Sequence, residues 1–319
     1  MKTPQQAIED NHPNQLQLLL ELGHDVNQKD SGGRSLLHLA VERNNYECVD
    51  RLIKHEADLD IRDESNESPI FEAVINNYQS ISLLLINKGA NLNVRSTMGR
   101  TSLSIAIESH FLELASLLLQ NGAQVDITCD EGKTPIFYAI EKDSIPAASL
   151  LLENGADVNA RRSDGETPLF SALSTDMAEF LITRGALIHT RDQIGRTPVF
   201  PIAGRNNKPL LELLIKHGAQ VDIVDEDNRH PLFEAVSRNA LDVAEFLLNM
   251  GLDPNQRDST GETPVFSAAR ENLKKMIRLL IAHGARVDIK NGHGSSPINI
   301  AVGLQNWSVT NELKYSVKT

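Results

Sequence analysis

Apolar residues in this chain gather into two short clusters followed by a polar stretch, and the arrangement returns at a fixed interval. Residues 128–160 (TCDEGKTPIFYAIEKDSIPAASLLLENGADVNA) hold one cycle. Ile136, Phe137, Ala139 and Ile140 supply the apolar face of a short helix, and Ala147, Ala148, Leu150, Leu151 and Leu152 that of a second. Polar residues Lys142–Ser144 break the chain between them, and Asp157-Val158-Asn159 reads as extended chain leading to the next turn. Gly132 marks a tight turn, and Thr134 before Pro135 predicts an N-cap followed by proline at the first helical position, where its missing N–H costs nothing.

Ser35, Ser68, Thr101, Thr134, Thr167, Thr197, His230, Thr263 and Ser296 open successive cycles, at gaps of 33, 33, 33, 33, 30, 33, 33 and 33 residues. The same stop signals return each time. Asn44, Asn77, Asn206, Asn239 and Asn272 stand between the two helices, where a left-handed residue is needed. Glycine follows the second helix at 23, 89, 122, 155, 185, 218, 251 and 284, and only Glu56 departs. A period of this length implies stacked supersecondary units, none able to bury its own apolar face alone.

The phrases TPIFYA (134–139), TPLFSA (167–172) and TPVFSA (263–268), at this spacing, resemble the ankyrin repeat over roughly residues 3–305. The resemblance implies an all-α solenoid of about ten helix-turn-helix units with β-hairpin-like turns, one unit being an irregular 30-residue one. We expect a single elongated domain over 1–319: an N-terminal capping repeat (1–28), internal repeats (29–289) and a C-terminal capping repeat (290–319), atypical around Trp307–Tyr315. One departure is systematic. The family's histidine survives only at His38; Phe71, Phe137, Phe170, Phe200, Phe233 and Phe266 replace it, with Ser104 and Asn299 elsewhere. In the family that histidine hydrogen-bonds across the turn, so the replacement exchanges a polar ladder for a buried apolar column.

Composition narrows the function. The formal charge of −12 argues against duplex nucleic acid as a partner, and the absence of a long apolar run argues against a membrane span. No hydrophobic leader opens the chain, so we expect a cytoplasmic or otherwise intracellular protein, or one delivered into a host cell by a bacterium. Cys48 and Cys129 lie three repeats apart, at ~8–10 Å per layer, beyond the ~7 Å a disulfide spans. No catalytic motif is found: the glycines recur at helix ends, His55, His217 and His283 sit at separate helix C-termini, and the carboxylates belong mainly to caps and turns. We therefore expect no enzyme, no metal and no cofactor.

What remains is a surface. In ankyrin-repeat proteins the concave face, made by hairpin tips and first helices, recognises other proteins. Carried over repeat by repeat, from Ser31 to Glu271, its positions form a polar mosaic of net charge −3 without aromatic anchors. The expected partner contacts are Arg34, Arg43, Arg100, Arg196, Arg205, Arg229 and Arg238, with Ile75, Met98 and Ile194 as apolar points. The expected function is a scaffold or adaptor binding a protein partner, the chain itself a monomer. The alternatives are an inhibitor occluding an enzyme, or the targeting arm of a larger enzyme or bacterial effector.

Two further expectations concern particular places. Three residues are missing near Ser174-Thr175-Asp176, and Pro201, Gly204 and Pro209 follow, so residues 170–210 are expected to form a bend or hinge. Asn27, Asn93, Asn159 and Asn255 resemble hairpin asparagines that are hydroxylated in animal ankyrin repeats, although a turn-stabilising role alone accounts for them.

Overall fold

The computed structural model describes residues 3–316. Chain contacts divide it into two units, up to Arg162 and from Ser163. The first unit holds five helical pairs: Pro4–Glu9 (α1) with Pro13–Glu21 (α2), Leu36–Glu42 (α3) with Tyr46–Lys54 (α4), Pro69–Ile75 (α5) with Gln79–Asn87 (α6), Ser102–Glu108 (α7) with Leu112–Gln120 (α8), and Pro135–Glu141 (α9) with Ile145–Glu153 (α10). The second begins with a 3₁₀ turn, Pro168–Ser171, paired with Thr175–Thr183 (α11). Val199–Gly204 (α12) with Lys208–Lys216 (α13), Pro231–Ser237 (α14) with Leu241–Asn249 (α15), Pro264–Arg270 (α16) with Lys274–Ala282 (α17), and Pro297–Gly303 (α18) with Trp307–Ser316 (α19) complete it. Within each unit first helices pack on first helices and second on second.

The local signals act as their chemistry requires. Asn44, Asn77, Asn206, Asn239 and Asn272 take φ between 51° and 57° in the inter-helix turn, and Glu56 is left-handed at φ 63°, where the other repeats place glycine. Within each unit hairpins close on themselves, as in Asp30 N–H to Arg34 O at 2.9 Å, and successive tips are tied by a backbone bond, as in Thr97 N–H to Ser65 O at 2.8 Å. No extended ladder forms among the described residues; a single bridge joins Lys29 and Ser35.

The phenylalanine register is buried, with Phe71, Phe137, Phe170, Phe200 and Phe266 among the largest enclosed side chains. Its effect on the caps corrects the sequence reading. His38 Nδ1 accepts from the Ser35 backbone N–H (3.1 Å), and Nε2–H donates to the Glu67 carbonyl (3.1 Å), so the ring is neutral and protonated on Nε2. Thr101–Ser104 and Ser296–Asn299 form similar reciprocal caps. Where phenylalanine takes this place the partner is lost. Thr134 opens its helix with extended backbone, but its hydroxyl caps nothing. The side-chain oxygens of Ser68, Thr134, Thr167, Thr197 and Thr263 are all buried without a hydrogen-bond partner.

The irregular repeat also differs from expectation. The three missing residues come out of the first helix, reduced to the 3₁₀ turn, and not out of the inter-helix connection. Ser174 caps α11 by accepting from Met177 N–H at 3.1 Å. Pro201 is the third residue of α12, where no helical hydrogen bond is forfeited. Gly204 marks close packing: an added Cβ would lie 3.0 Å from Arg238 Cγ and 3.1 Å from Glu234 Cγ. Carbonyls freed by the shortened helix find donors in the next repeat. Arg205 donates to Ala172 O (2.7 Å) and Phe170 O (3.0 Å), and Asn207 Nδ2 donates to Leu173 O (3.2 Å). The segment expected to bend is stapled.

The candidate binding face

The hairpin tip and the C-terminal end of the first helix meet across eight residues, and this register carries a repeated ion pair. Arg34 reaches Glu42 at 2.6 Å, Arg100 reaches Glu108, and Lys133 reaches Glu141 at 2.9 Å. At the eighth such position the polarity is reversed, with Arg270 2.9 Å from Glu262. Gly204 and Ser237 offer no charge at the far end, so Arg196 turns to Asp192 (2.8 Å) and Glu166 (3.4 Å), and Arg229 turns to Asp225 (3.3 Å) and Asp227 (2.8 Å). Arg238 meets Glu234 at 3.2 Å. Arg205 is occupied by the carbonyls already described, while Arg43 is exposed beside Asn44 and Tyr46. Ile75, Met98 and Ile194 are exposed at 44, 68 and 43%.

Glu67 breaks the pattern, because its eight-residue partner is Ile75. Burial, with Asp63 and Glu72 nearby, raises the Glu67 carboxyl above its ordinary range against the opposing pull of Arg100.

Two cavities open on this face. In the first unit, one of about 350 Å³ gathers Met98, Arg100, Glu108, Cys129, Asp130, Glu131, Lys133, Tyr138 and Glu141. The Tyr138 ring carries two cations, Arg100 at 5.5 Å and Lys133 at 5.9 Å. Burial, reinforced by Cys129, raises the Tyr138 hydroxyl well above the ordinary phenol range. Burial alone would lower the Lys133 ammonium, but Glu141 and Glu131 outweigh it and raise it. In the second unit, a cavity of about 270 Å³ brings Arg196 and Arg229 together with Arg270, Asp225, Asp258 and Glu262, against Phe200, His230 and Phe233.

The structure thus joins Met98 with Arg100, and Arg196 with Arg229, while Arg34, Ile75, Ile194, Arg205 and Arg238 line neither cavity. It also corrects the expectation of a face without aromatic residues. Tyr138 lies three positions before Glu141 on the same helix, so a helical-face reading would have placed it there. Asn27, Asn93 and Asn255 bind the next repeat: their Oδ1 atoms accept from the N–H groups of Asp58, Gln124 and Arg286 at 2.9, 2.7 and 2.7 Å.

Among the described residues no cluster of three or more His, Cys, Asp or Glu side chains could hold a metal ion, and no helix is long and apolar enough to cross a membrane. A family model described as ankyrin repeats (3 copies) matches residues 5–96, 84–162, 103–192 and 169–258, and the model of a single ankyrin repeat matches 260–292. No curated protein matches the chain.

Proposed function

This chain belongs to the ankyrin-repeat family, and on that premise we propose that it is a scaffold or adaptor whose hairpin-and-first-helix face holds a partner protein. Ankyrin repeats are in general protein–protein interaction modules and typically non-catalytic. One observation carries the finer reading. Five of the predicted cations, Arg34, Arg100, Arg196, Arg229 and Arg238, are held by carboxylates before any partner arrives, leaving Met98, Ile75 and Ile194 exposed in a field of fixed charges. A surface whose long side chains are ordered in advance loses less entropy on association. Its paired charges reward only a partner with the complementary pattern, which favours specificity over raw affinity.

The test substitutes the apolar points and leaves the ion pairs alone. Arg196 is bound to Asp192, whose side chain is 1% exposed, so reversing its charge would confound binding with folding. Met98→Glu with Ile194→Glu places charges on side chains already in water. Affinity capture from native lysate should lose the proteins retained by the parent chain. Identical captured sets, with unchanged thermal unfolding, would refute this face as the binding surface.

A further inference from the structure

The second helices of the first unit depart from a rule obeyed elsewhere. The fifth residue of each second helix is charged or an amide in most repeats, including Asp50, Glu179, Glu212, Glu245 and Arg278. In α6, α8 and α10 it is Leu83, Ser116 and Ser149. The charge that keeps this row wetted is missing from three consecutive repeats. There a cavity of about 730 Å³ opens, lined by Leu83, Leu112, Leu117, Pro146 and Leu150 among uncharged polar residues, with Glu113 the one charge in its lining. Leu83 is 43% exposed. The three helices carry two charges, Glu113 and Glu153, and no lysine or arginine.

We propose that this groove docks an amphipathic helix of a partner protein, its apolar stripe laid on Leu83, Leu112, Leu117 and Leu150 and its flanking Lys or Arg residues set against Glu113. The groove runs over three helix layers, about 16–20 Å at ordinary interaxial spacing, which a helix of roughly 11–13 residues matches at its usual rise. A helix fits better than a strand. The groove walls are helices whose backbone groups are satisfied internally, so no open edge exists for strand addition, while apolar side chains in a groove are what a helical stripe requires. The one charge of the lining, Glu113, favours a basic flank, and a lining without lysine or arginine disfavours an anionic lipid surface. This site is independent of the hairpin face.

The test uses the full chain and a labelled designed peptide of about 14 residues, with leucines at helical i, i+3, i+4 and i+7 spacing and lysines elsewhere, beside a scrambled peptide of the same composition. Leu83→Glu with Ser116→Glu restores the residue that other repeats carry at this position, so folding should be retained, and thermal unfolding checks this. Fluorescence anisotropy should show binding to the parent chain, weaker binding of the scrambled peptide, and a loss of roughly tenfold or more in the double variant, because a carboxylate would be forced against the apolar stripe. Amide-exchange protection should fall on α6, α8 and α10. Equal affinity for the scrambled peptide or for the folded double variant, or protection confined to the hairpins, would overturn the proposal. So would co-sedimentation with phosphatidylcholine vesicles abolished by the same variant, which would assign the groove to lipid.

Discussion

Arg205 and Arg238 occupy the same register 33 residues apart, yet the structure gives them unequal weight. Arg205 donates to two carbonyls orphaned by the shortened helix, at 2.7 and 3.0 Å, and both belong to fully buried residues, Ala172 and Phe170. Arg238 makes one ion pair with Glu234, its side chain 70% exposed. Arg205→Met keeps the alkyl stem and removes the donors. A buried carbonyl left without a partner costs about 1–3 kcal/mol. Water can reach these two once the guanidinium is gone, so we expect about 2 kcal/mol in total. Arg238→Met should cost no more than about 0.5 kcal/mol, as for other exposed pairs. Arg205→Lys separates charge from shape, since an ammonium cannot fork across both carbonyls as a guanidinium does; it should recover less than half of the loss. Urea unfolding gives the energies, and hydrogen exchange at residues 168–175 reports whether the loss is local. Equal effects of Arg205→Met and Arg238→Met, or full recovery by lysine, would refute the stapling.

Four other substitutions probe the repeat chemistry. Glu56→Gly relieves a left-handed backbone that costs a side-chain-bearing residue about 1–2 kcal/mol; after the greater freedom of unfolded glycine is deducted, a gain of up to about 1 kcal/mol is expected in the denaturation midpoint. Thr263→Val should leave stability unchanged or raise it by up to about 1 kcal/mol, because the buried hydroxyl has no partner, whereas Thr101→Val, which loses a reciprocal cap, should cost about 1 kcal/mol by the same measurement. Burial lowers the His38 and His230 imidazoles below their ordinary value of 6.5. The unfolded chain therefore binds protons that the folded chain refuses, so this contribution is fully present above pH 6.5 and falls as the pH drops below it. Unfolding energies measured from pH 7.5 downward should fall less steeply for His230→Thr than for the parent chain, and parallel curves would remove His230 from the account.

The positions of the helices were legible because the first helices open on Ser, Thr or His, apart from the one after Pro198, and most helices of both kinds are followed by Asn or Gly. The fate of the 30-residue repeat was not. Spacing counts residues without saying which element surrenders them. The left-handed turn and the cap of the second helix have demanding geometry, whereas a first helix can lose a turn if its freed carbonyls find other donors. The helix therefore gave way, and Arg205 serves the backbone there. The ion pairs were readable in principle, since Arg34 and Glu42, Arg100 and Glu108, and Lys133 and Glu141 stand at one interval, with Glu262 and Arg270 reversed. Treating surface positions singly hid the pairing. It also hid Tyr138, whose neighbours on the helical face belong to the binding surface. The outer groove is legible only when second helices are aligned with one another, where Leu83, Ser116 and Ser149 stand out as a gap in a row of charges.

The orphaned hydroxyls show what threonine does in these repeats. With histidine at the fourth position, Ser35 is a capping partner and its oxygen is engaged. With phenylalanine there, Thr134, Thr167 and Thr263 keep the same backbone, φ between −105° and −83° and ψ 166–167°, without any side-chain bond to enforce it. Two local effects suffice. A residue before proline is driven from the helical region by contact with the proline ring, and a β-branched side chain narrows the choice further. Threonine is kept for its shape, and its hydroxyl is carried as a cost where phenylalanine stands in the histidine's place. The phenylalanine offsets that cost by apolar burial, about 25 cal/mol per Å² removed from water, at a register where Phe137, Phe170 and Phe266 are each completely enclosed. The hydrogen-bond ladder has become a packing ladder, and stability has moved from directional contacts at the turns into the core.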